Sequence, residues 1–318
     1  MKCRCCNSSK VIIATNRGHL APFFAKRVHG LHVSTFLEKI EYNFFNSTSL
    51  LKRLFYFFCK FLSTLIVFKK FFNFRNNLNV DIIICSNCFF ISPRKEYSYN
   101  ELFNLYHDYR KNSYNIERVC YEPWYSKIKD SVGINSLEIE NRKQNLDLIF
   151  IKKNFNYDEI KSVIDWGGNE GHFIPNVLKN KDIYIFDPSS SSVIDKSYKK
   201  ISRRDLLPNV DCIILAHVLE HVGNPKSFLI DVLRNLKQGG VIYLEVPQDK
   251  SLNEIQEIVN NPQASKFEIH EHINIFTEKS LNFLGLDLGL ELIYSSTKNI
   301  DFGWVNNFEI ISVIFKKK

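Results

Sequence analysis

The sequence predicts an α/β fold, a doubly wound sheet preceded by a smaller N-terminal module with paired cysteines. Three observations predict it. Lys161–Asp165 reads as a short buried strand that runs straight into Gly167, Gly168 and Gly171 and then into a helical pattern. A second apolar run, Ile183–Phe186, closes on Asp187, 22 positions after Asp165. Two further strand patterns follow, Val210–Leu215 and the run after Gly239 and Gly240, separated by a helical pattern carrying Phe228, Leu229, Val232, Leu233 and Leu236. Strands alternating with helices fold into a parallel sheet covered on both faces. Glycines after the first strand let the backbone approach a ligand that any Cβ would push away, and the amides of the following helix are expected to face it. An acidic residue closing the second strand is placed to hold a ribose diol.

From the amino end, 318 residues are enough for one α/β domain and a smaller partner. Hydrophobic residues make up 45% of the chain and the formal charge is +8, which describes a globular protein with a basic surface feature. The N-terminus lacks the apolar run of a secretory signal, so a reducing, cytoplasmic setting is expected, and the eight cysteines read as metal ligands or core thiols rather than disulfides. Cys3 and Cys6 form one C-x-x-C and Cys85 and Cys88 another. Two such knuckles can present four thiolates tetrahedrally to zinc, and Cys5 can stand in for Cys3 or Cys6. The alternative is a set of reduced cysteines without metal.

Between the knuckles no acid occurs from Glu41 to Asp81, while Lys52, Arg53, Lys60, Lys69, Lys70 and Arg75 do. Apolar residues there follow helical spacing with a narrow polar stripe, which predicts a basic amphipathic helix over about 48–75. The run is too short to span a membrane and is interrupted by Lys60. Two readings stand: packing on protein, or contact through residues 50–70 with an anionic membrane, peripherally at its inner face. The Tyr-rich stretch from Tyr97 to Tyr125 reads as a short helix and loop, and Leu137–Lys153 as a helix leading into the first strand. The domains expected are therefore 1–96, 97–154 and 155–318.

The order D-x-G-x-x-x-G from Asp165, the acidic strand end at Asp187, V-L-E-H-V at 218–222, L-K-x-G-G at 236–240 and H-E-H-I-N-I-F-T at 270–277 resembles class I S-adenosylmethionine-dependent methyltransferases. The resemblance covers Lys161 to the C-terminus and implies a Rossmann-like, seven-stranded methyltransferase sheet, with Leu290–Tyr294 and Glu309–Phe315 as terminal antiparallel strands. Cys3, Arg4, Cys6, Cys85 and Cys88 look like the opening of the zinc-containing sugar C-methyltransferase group, in which the zinc is structural. The same likeness implies that Gly167, Gly168 and Gly171 face the methionine part of the cofactor and that Asp165 accepts from its amino group or orients the turn. It further implies that Asp187 holds the ribose, Asp205 receives the adenine amino group, and Tyr106, Tyr109 and Ser113 fold over the cofactor. Asn169, where a glycine is frequent, tolerates the left-handed conformation.

Methyl transfer from a sulfonium needs an acceptor placed in line and a base for its proton. Histidines gather where such a base belongs: His217, His221, His270 and His272. By resemblance His272 matches the general base and Glu271 its neighbouring carboxylate, with His221 either catalytic or securing a loop. Ile269 stands where the sugar group has a tyrosine, which leaves C-, O- and N-methylation open. The expected acceptor is a sugar or nucleotide sugar of surface-polysaccharide synthesis. Nucleic-acid methylation is disfavoured, because no D/N-P-P-Y/F follows the fourth strand and no Pro-Cys pair appears. A nicotinamide oxidoreductase would draw on Tyr294-x-x-x-Lys298, but that segment reads as a strand, so the lysine would not sit one helical turn away. The remaining alternative is a non-catalytic methyltransferase-like scaffold at the membrane.

Overall fold

The computed structural model describes residues 1–31, 78–109, 111–152, 156–187, 189 and 191–318. The basic aromatic helix expected over 48–75, and with it the contact assigned to residues 50–70, lies outside the described residues.

In chain order the elements are β1 (Val11–Leu20), α1 (Pro22–His29), β2 (Asn79–Cys85), β3 (Ile91–Pro93), α2 (Tyr99–Tyr106), α3 (Asn112–Tyr121), α4 (Ser136–Lys152), β4 (Ser162–Trp166), β5 (Asp182–Phe186) and β6 (Lys199–Ile201). They continue with β7 (Val210–Ala216), α5 (Pro225–Val232), β8 (Leu236–Pro247), α6 (Leu252–Asn260), β9 (Phe267–Ile269), α7 (Glu278–Asp287), β10 (Glu291–Ile300) and β11 (Phe308–Lys316). Seven strands form one sheet in the order β10-β11-β8-β7-β4-β5-β6. β6, β5, β4, β7 and β8 run parallel, while β11 pairs antiparallel with β8 and β10 with β11. The terminal antiparallel strands thus stand where the sequence puts them. β4 is central, its last four residues buried, because strands covered on both faces read as continuous apolar runs.

Two expectations fail locally. After the glycine turn the expected α-helix does not form; residues 171–173 turn, 174 and 175 are irregular, and only Asn176–Leu178 makes a single 3₁₀ turn. Pro175 lies in the short link between β4 and β5, where its ring restricts the residue before it and its missing N–H cannot serve a helix interior. The helix of the fourth crossover also ends earlier than Gly239: α5 stops at Val232 and β8 already begins at Leu236, pairing with Val210.

A second sheet has the order β3-β2-β1-β9. β9 comes from far down the chain and pairs parallel with the end of β1, Gly18 opposite Phe267 and Leu20 opposite Ile269. The small sheet is therefore not closed by the first 96 residues alone, and the segment after β9 is anchored between the sheets. An isolated bridge joins Ile91 to Ile275, and Thr277, which caps α7, donates to the Cys88 carbonyl at 2.9 Å. Cys3, Cys5, Cys85, Cys88 and Phe90 belong to the same buried cluster as Ile164, Leu215 and Leu244 of the large sheet. Burial of this shared apolar surface joins module and domain. No helix among the described residues is long and apolar enough to cross a membrane.

Candidate functional site

The carboxyl ends of the parallel strands collect the chemistry, as the switch point of such a sheet leads one to expect. Asp165, next to the last residue of β4, is 2% exposed, and its Oδ2 has no hydrogen-bond partner. Burial, then the charge of Asp187, raises its pKa to about 7. Gly168 lies over this carboxylate: a Cβ there would stand 2.1 Å from Oδ2. Gly167, Asn169 and Gly171 all have positive φ, so the turn depends on residues that tolerate the left-handed region, and Asn169 does so at 49°. Asp187 accepts from the Asn169 amide at 3.0 Å through Oδ2 and from the Ser189 amide at 2.7 Å through Oδ1. Ser189 and Ser191 donate to the Asn169 side-chain carbonyl, and Lys200 to its backbone carbonyl. Asp165, Gly167, Gly168, Asn169, Gly171 and Asp187 thus form one continuous cradle. Asp205 lies apart, exposed after β6 and paired with Arg203 at 2.6 Å.

Next to this cradle, at the ends of β7 and β8, is the histidine cluster. His221 sits on a 3₁₀ turn after β7, where its Nδ1 meets the Tyr106 hydroxyl at 2.7 Å and the Glu271 backbone carbonyl at 3.0 Å. His272 places Nδ1 on the Asp249 carboxylate at 3.0 Å, and its ring lies 5.0 Å from that of His221. Burial opposes charge on His272, but Asp249 outweighs it and raises the pKa to about 9. For His221 burial wins and the pKa falls below its ordinary value. Glu220 is fully buried; burial opposes its ionisation, but the histidines beside it hold its pKa at about 2. His217, at φ 56°, bridges Glu220 and Glu245, each at 3.3 Å.

Glu271 is placed differently from a free carboxylate partner of His272. Its side chain takes an ion pair with Arg118 and a hydrogen bond from the Tyr114 hydroxyl at 3.2 Å. Arg118, itself 4% exposed, also donates to Glu122 at 3.2 Å, and Glu122 faces His270 at 3.4 Å. The connector therefore enters the site through α2 and α3: Tyr109 packs edge-on against both Tyr106 and Tyr114, with ring centroids at 5.7 and 5.3 Å. Ser113 is exposed on α3. Ile269 is buried at the end of β9, and the hydroxyls near Glu271 and His221 come from Tyr114 and Tyr106 instead. Asp249 was not singled out by the sequence reading, although its place two residues past the end of β8 is a usable signal. Glu220 lay within the V-L-E-H-V motif and Tyr114 within the Tyr-rich stretch without being assigned a role, and Arg118 carried no signal, because its partner Glu271 is 153 positions away.

The four cysteines of the two knuckles also converge. Cys3 Sγ lies 3.7 Å from Cys88 Sγ and Cys6 Sγ 3.6 Å from Cys85 Sγ, and all four lie within 4.8 Å of one another. A tetrahedron of sulfurs at about 2.3 Å from a central ion has edges of about 3.8 Å, so the donor set and spacing fit zinc. Cys5 is not part of this group; its thiol donates to the Ser280 carbonyl at 2.9 Å.

Residues 140–295 match the family model described as a methyltransferase domain. Residues 140–295 are therefore a methyltransferase domain. The methyltransferase domain includes the glycine cradle, Asp187 and the whole histidine cluster. Tyr294 and Lys298, the pair an oxidoreductase would need, both lie on β10. Among solved structures, this chain is similar to an S-adenosylmethionine-dependent methyltransferase from Methanosarcina mazei (18% identity over 49% of this chain and 92% of that one, TM-score 0.37). It is also similar to 1,6-didemethyltoxoflavin-N1-methyltransferase from Burkholderia thailandensis (11%, 62% and 86%, TM-score 0.42) and to the N-methyltransferase NodS from Bradyrhizobium japonicum (9%, 61% and 97%, TM-score 0.41), both with S-adenosylhomocysteine bound. No curated protein matches the sequence.

Proposed function

We propose that this methyltransferase transfers a methyl group to a small-molecule acceptor, a sugar or nucleotide sugar, bound between the glycine cradle and the histidine cluster. The observation that carries this reading is the adjacency of two unlike sites at one sheet edge. The unpartnered Asp165 carboxylate oxygen under Gly168 suits a donor-bearing cofactor, and the Asp249–His272 pair suits an acceptor that must lose a proton. When bound, S-adenosylmethionine supplies an electrophilic methyl on a positively charged sulfur. Asp165 would accept from its ammonium group, the cradle amides would approach its methionine part, and Asp187 would take the ribose hydroxyls. The acceptor's proton is taken up at the histidine cluster by the neutral form of His272, the major form above about pH 9, with Asp249 on Nδ1 and Nε2 left for the acceptor side. Tyr106, Tyr109 and Tyr114 close the site from the connector and exclude water. Arg118 holds Glu271 and with it the backbone carbonyl that orients His221.

The sugar class rests on the resemblance of the H-E-H segment and of the cysteine pattern. The four-cysteine cluster is read as a structural zinc site, since four protein thiolates leave no coordination position for a substrate. A cytoplasmic setting accords with free, closely spaced thiols.

Calorimetric titration with S-adenosylmethionine and S-adenosylhomocysteine, beside Asp187→Ala and with NAD as control, tests the cofactor. Transfer of labelled methyl to a panel of nucleotide sugars tests the acceptor. Cofactor binding that Asp187→Ala weakens at least tenfold, followed by His272-dependent labelling of a nucleotide sugar, is the expected result. Binding without labelling of any sugar would remove the sugar class, and absence of binding by folded protein would leave the scaffold reading.

A further inference from the structure

Glu220 is fully buried, and neither oxygen makes a hydrogen bond of good geometry to the described residues; its closest cationic partner is His217, whose Nδ1 lies 3.3 Å from Oε1. A carboxylate removed from water with no hydrogen-bond donor is costly unless a compensating positive charge stands against it. His217 stands on one side of it, and the geometry on the other side shows where a second charge fits. His221 Nδ1 meets the Tyr106 hydroxyl and the Glu271 backbone carbonyl, which can only accept; in the tautomer that donates to the carbonyl, Nε2 presents a lone pair 3.8 Å from Glu220 Oε1. Two acceptors thus face each other. His272 uses Nδ1 on Asp249, which leaves its Nε2 as the free nitrogen. One ligand atom from each of Glu220, His221 and His272 lies within 4.8 Å of the others.

We propose that Glu220, His221 and His272 bind a divalent first-row transition cation through one carboxylate oxygen and two imidazole nitrogens. Two nitrogens in three donors favour such an ion over magnesium or calcium, and three protein ligands leave positions open for oxygen ligands from outside. The outer partners are those a metal-binding imidazole needs. Asp249 accepts from Nδ1 of His272 and the Glu271 carbonyl from Nδ1 of His221, which fixes both rings and their tautomers. The Tyr106 hydroxyl adds a second contact at His221, and His217 supplies the remaining charge on the far side of Glu220. With the ion bound, His221 and His272 would serve as ligands, and the positions left open would be available to an oxygen of the acceptor. This use of the site rests on the acceptor reading above; the binding of the ion does not.

Cobalt(II) titrated into protein whose cysteine cluster is already filled with zinc tests the site. The expected result is one cobalt per chain, with visible ligand-field bands and no thiolate charge-transfer band. Binding should be abolished in Glu220→Gln and weakened at least about tenfold in Asp249→Asn, which keeps every ligand and removes only the partner of His272. Calorimetry with S-adenosylhomocysteine on the same samples reports folding and cofactor binding separately from the ion. No cobalt bound by wild-type protein that binds S-adenosylhomocysteine overturns the site. Equal cobalt binding by wild type, Glu220→Gln and Asp249→Asn overturns it as well, because the ion would then sit elsewhere.

Discussion

Replacing Asp165 by asparagine separates the two things this carboxylate does. In the folded protein its pKa stands at about 7 instead of the ordinary 3.8, chiefly because it is buried and secondarily because Asp187 is near. The folded state therefore holds the proton more tightly than the unfolded one. Its contribution to stability is fully present below pH 3.8 and is lost as pH rises through about 7. With about 1.4 kcal/mol per pH unit, the loss at pH 8 is on the order of 4 kcal/mol, of which about 1.6 kcal/mol has already been incurred at pH 5. An asparagine side chain cannot ionise and escapes the loss. Urea unfolding of both proteins at pH 5 and pH 8 cancels the titration of every other group in the difference, and the advantage of Asp165→Asn should grow by about 2.5 kcal/mol between the two pH values. The same variant should bind S-adenosylhomocysteine about ten- to a hundredfold more weakly by calorimetry, the worth of one hydrogen bond to a charged group. A stability difference that does not change with pH would refute the argument about burial. Unchanged cofactor affinity would refute the role given to Oδ2.

Other consequences follow from single contacts. Gly168→Ala puts a methyl group 2.1 Å from Asp165 Oδ2, so the turn must shift; cofactor binding should be lost by calorimetry and unfolding should come about 1–3 kcal/mol earlier, and an alanine variant with normal binding would contradict the geometry. Cys85→Ser should empty the cluster of zinc by metal analysis and lower the melting temperature, whereas Cys5→Ser should retain a full complement because Cys5 faces the Ser280 carbonyl. In protein free of added transition cation, the His272 ring should hold its proton up to about pH 9, read from its C2–H resonance, and Asp249→Asn should move that midpoint toward 6.5; a midpoint unmoved by the change would mean that Asp249 is not the cause.

Much of the large sheet was legible because its signals are local. Apolar runs such as Val210–Leu215 and acidic ends such as Asp187 mark strands and their ligand-facing termini without knowledge of any neighbour. The terminal strands near Leu290–Tyr294 and Glu309–Phe315 were legible for the same reason. The glycine cradle was legible down to Asn169, whose left-handed backbone a short polar side chain tolerates. The helix after it was misread, since apolar spacing there is outweighed by Pro175 and by the shortness of the link to β5. The cysteine alternatives were not separable either, because Cys3, Cys5 and Cys6 are equivalent in spacing until a fold turns one of them toward Ser280.

Sequence by itself determined the periodicity, the order of the strands along the chain, the cradle residues and the presence of four histidines near the strand ends. Only the tertiary structure decided what those histidines face. β9 crosses to pair with β1, and that pairing carries His270, Glu271 and His272 to the mouth of the large sheet, where Arg118 claims Glu271, Asp249 claims His272, and Glu220 is left buried beside His217 and His221. Such partnerships join residues far apart in the chain, 153 positions in the case of Arg118 and Glu271. Burial and electrostatic pairing over such separations are properties of the packed chain, and no local pattern of residue types encodes them.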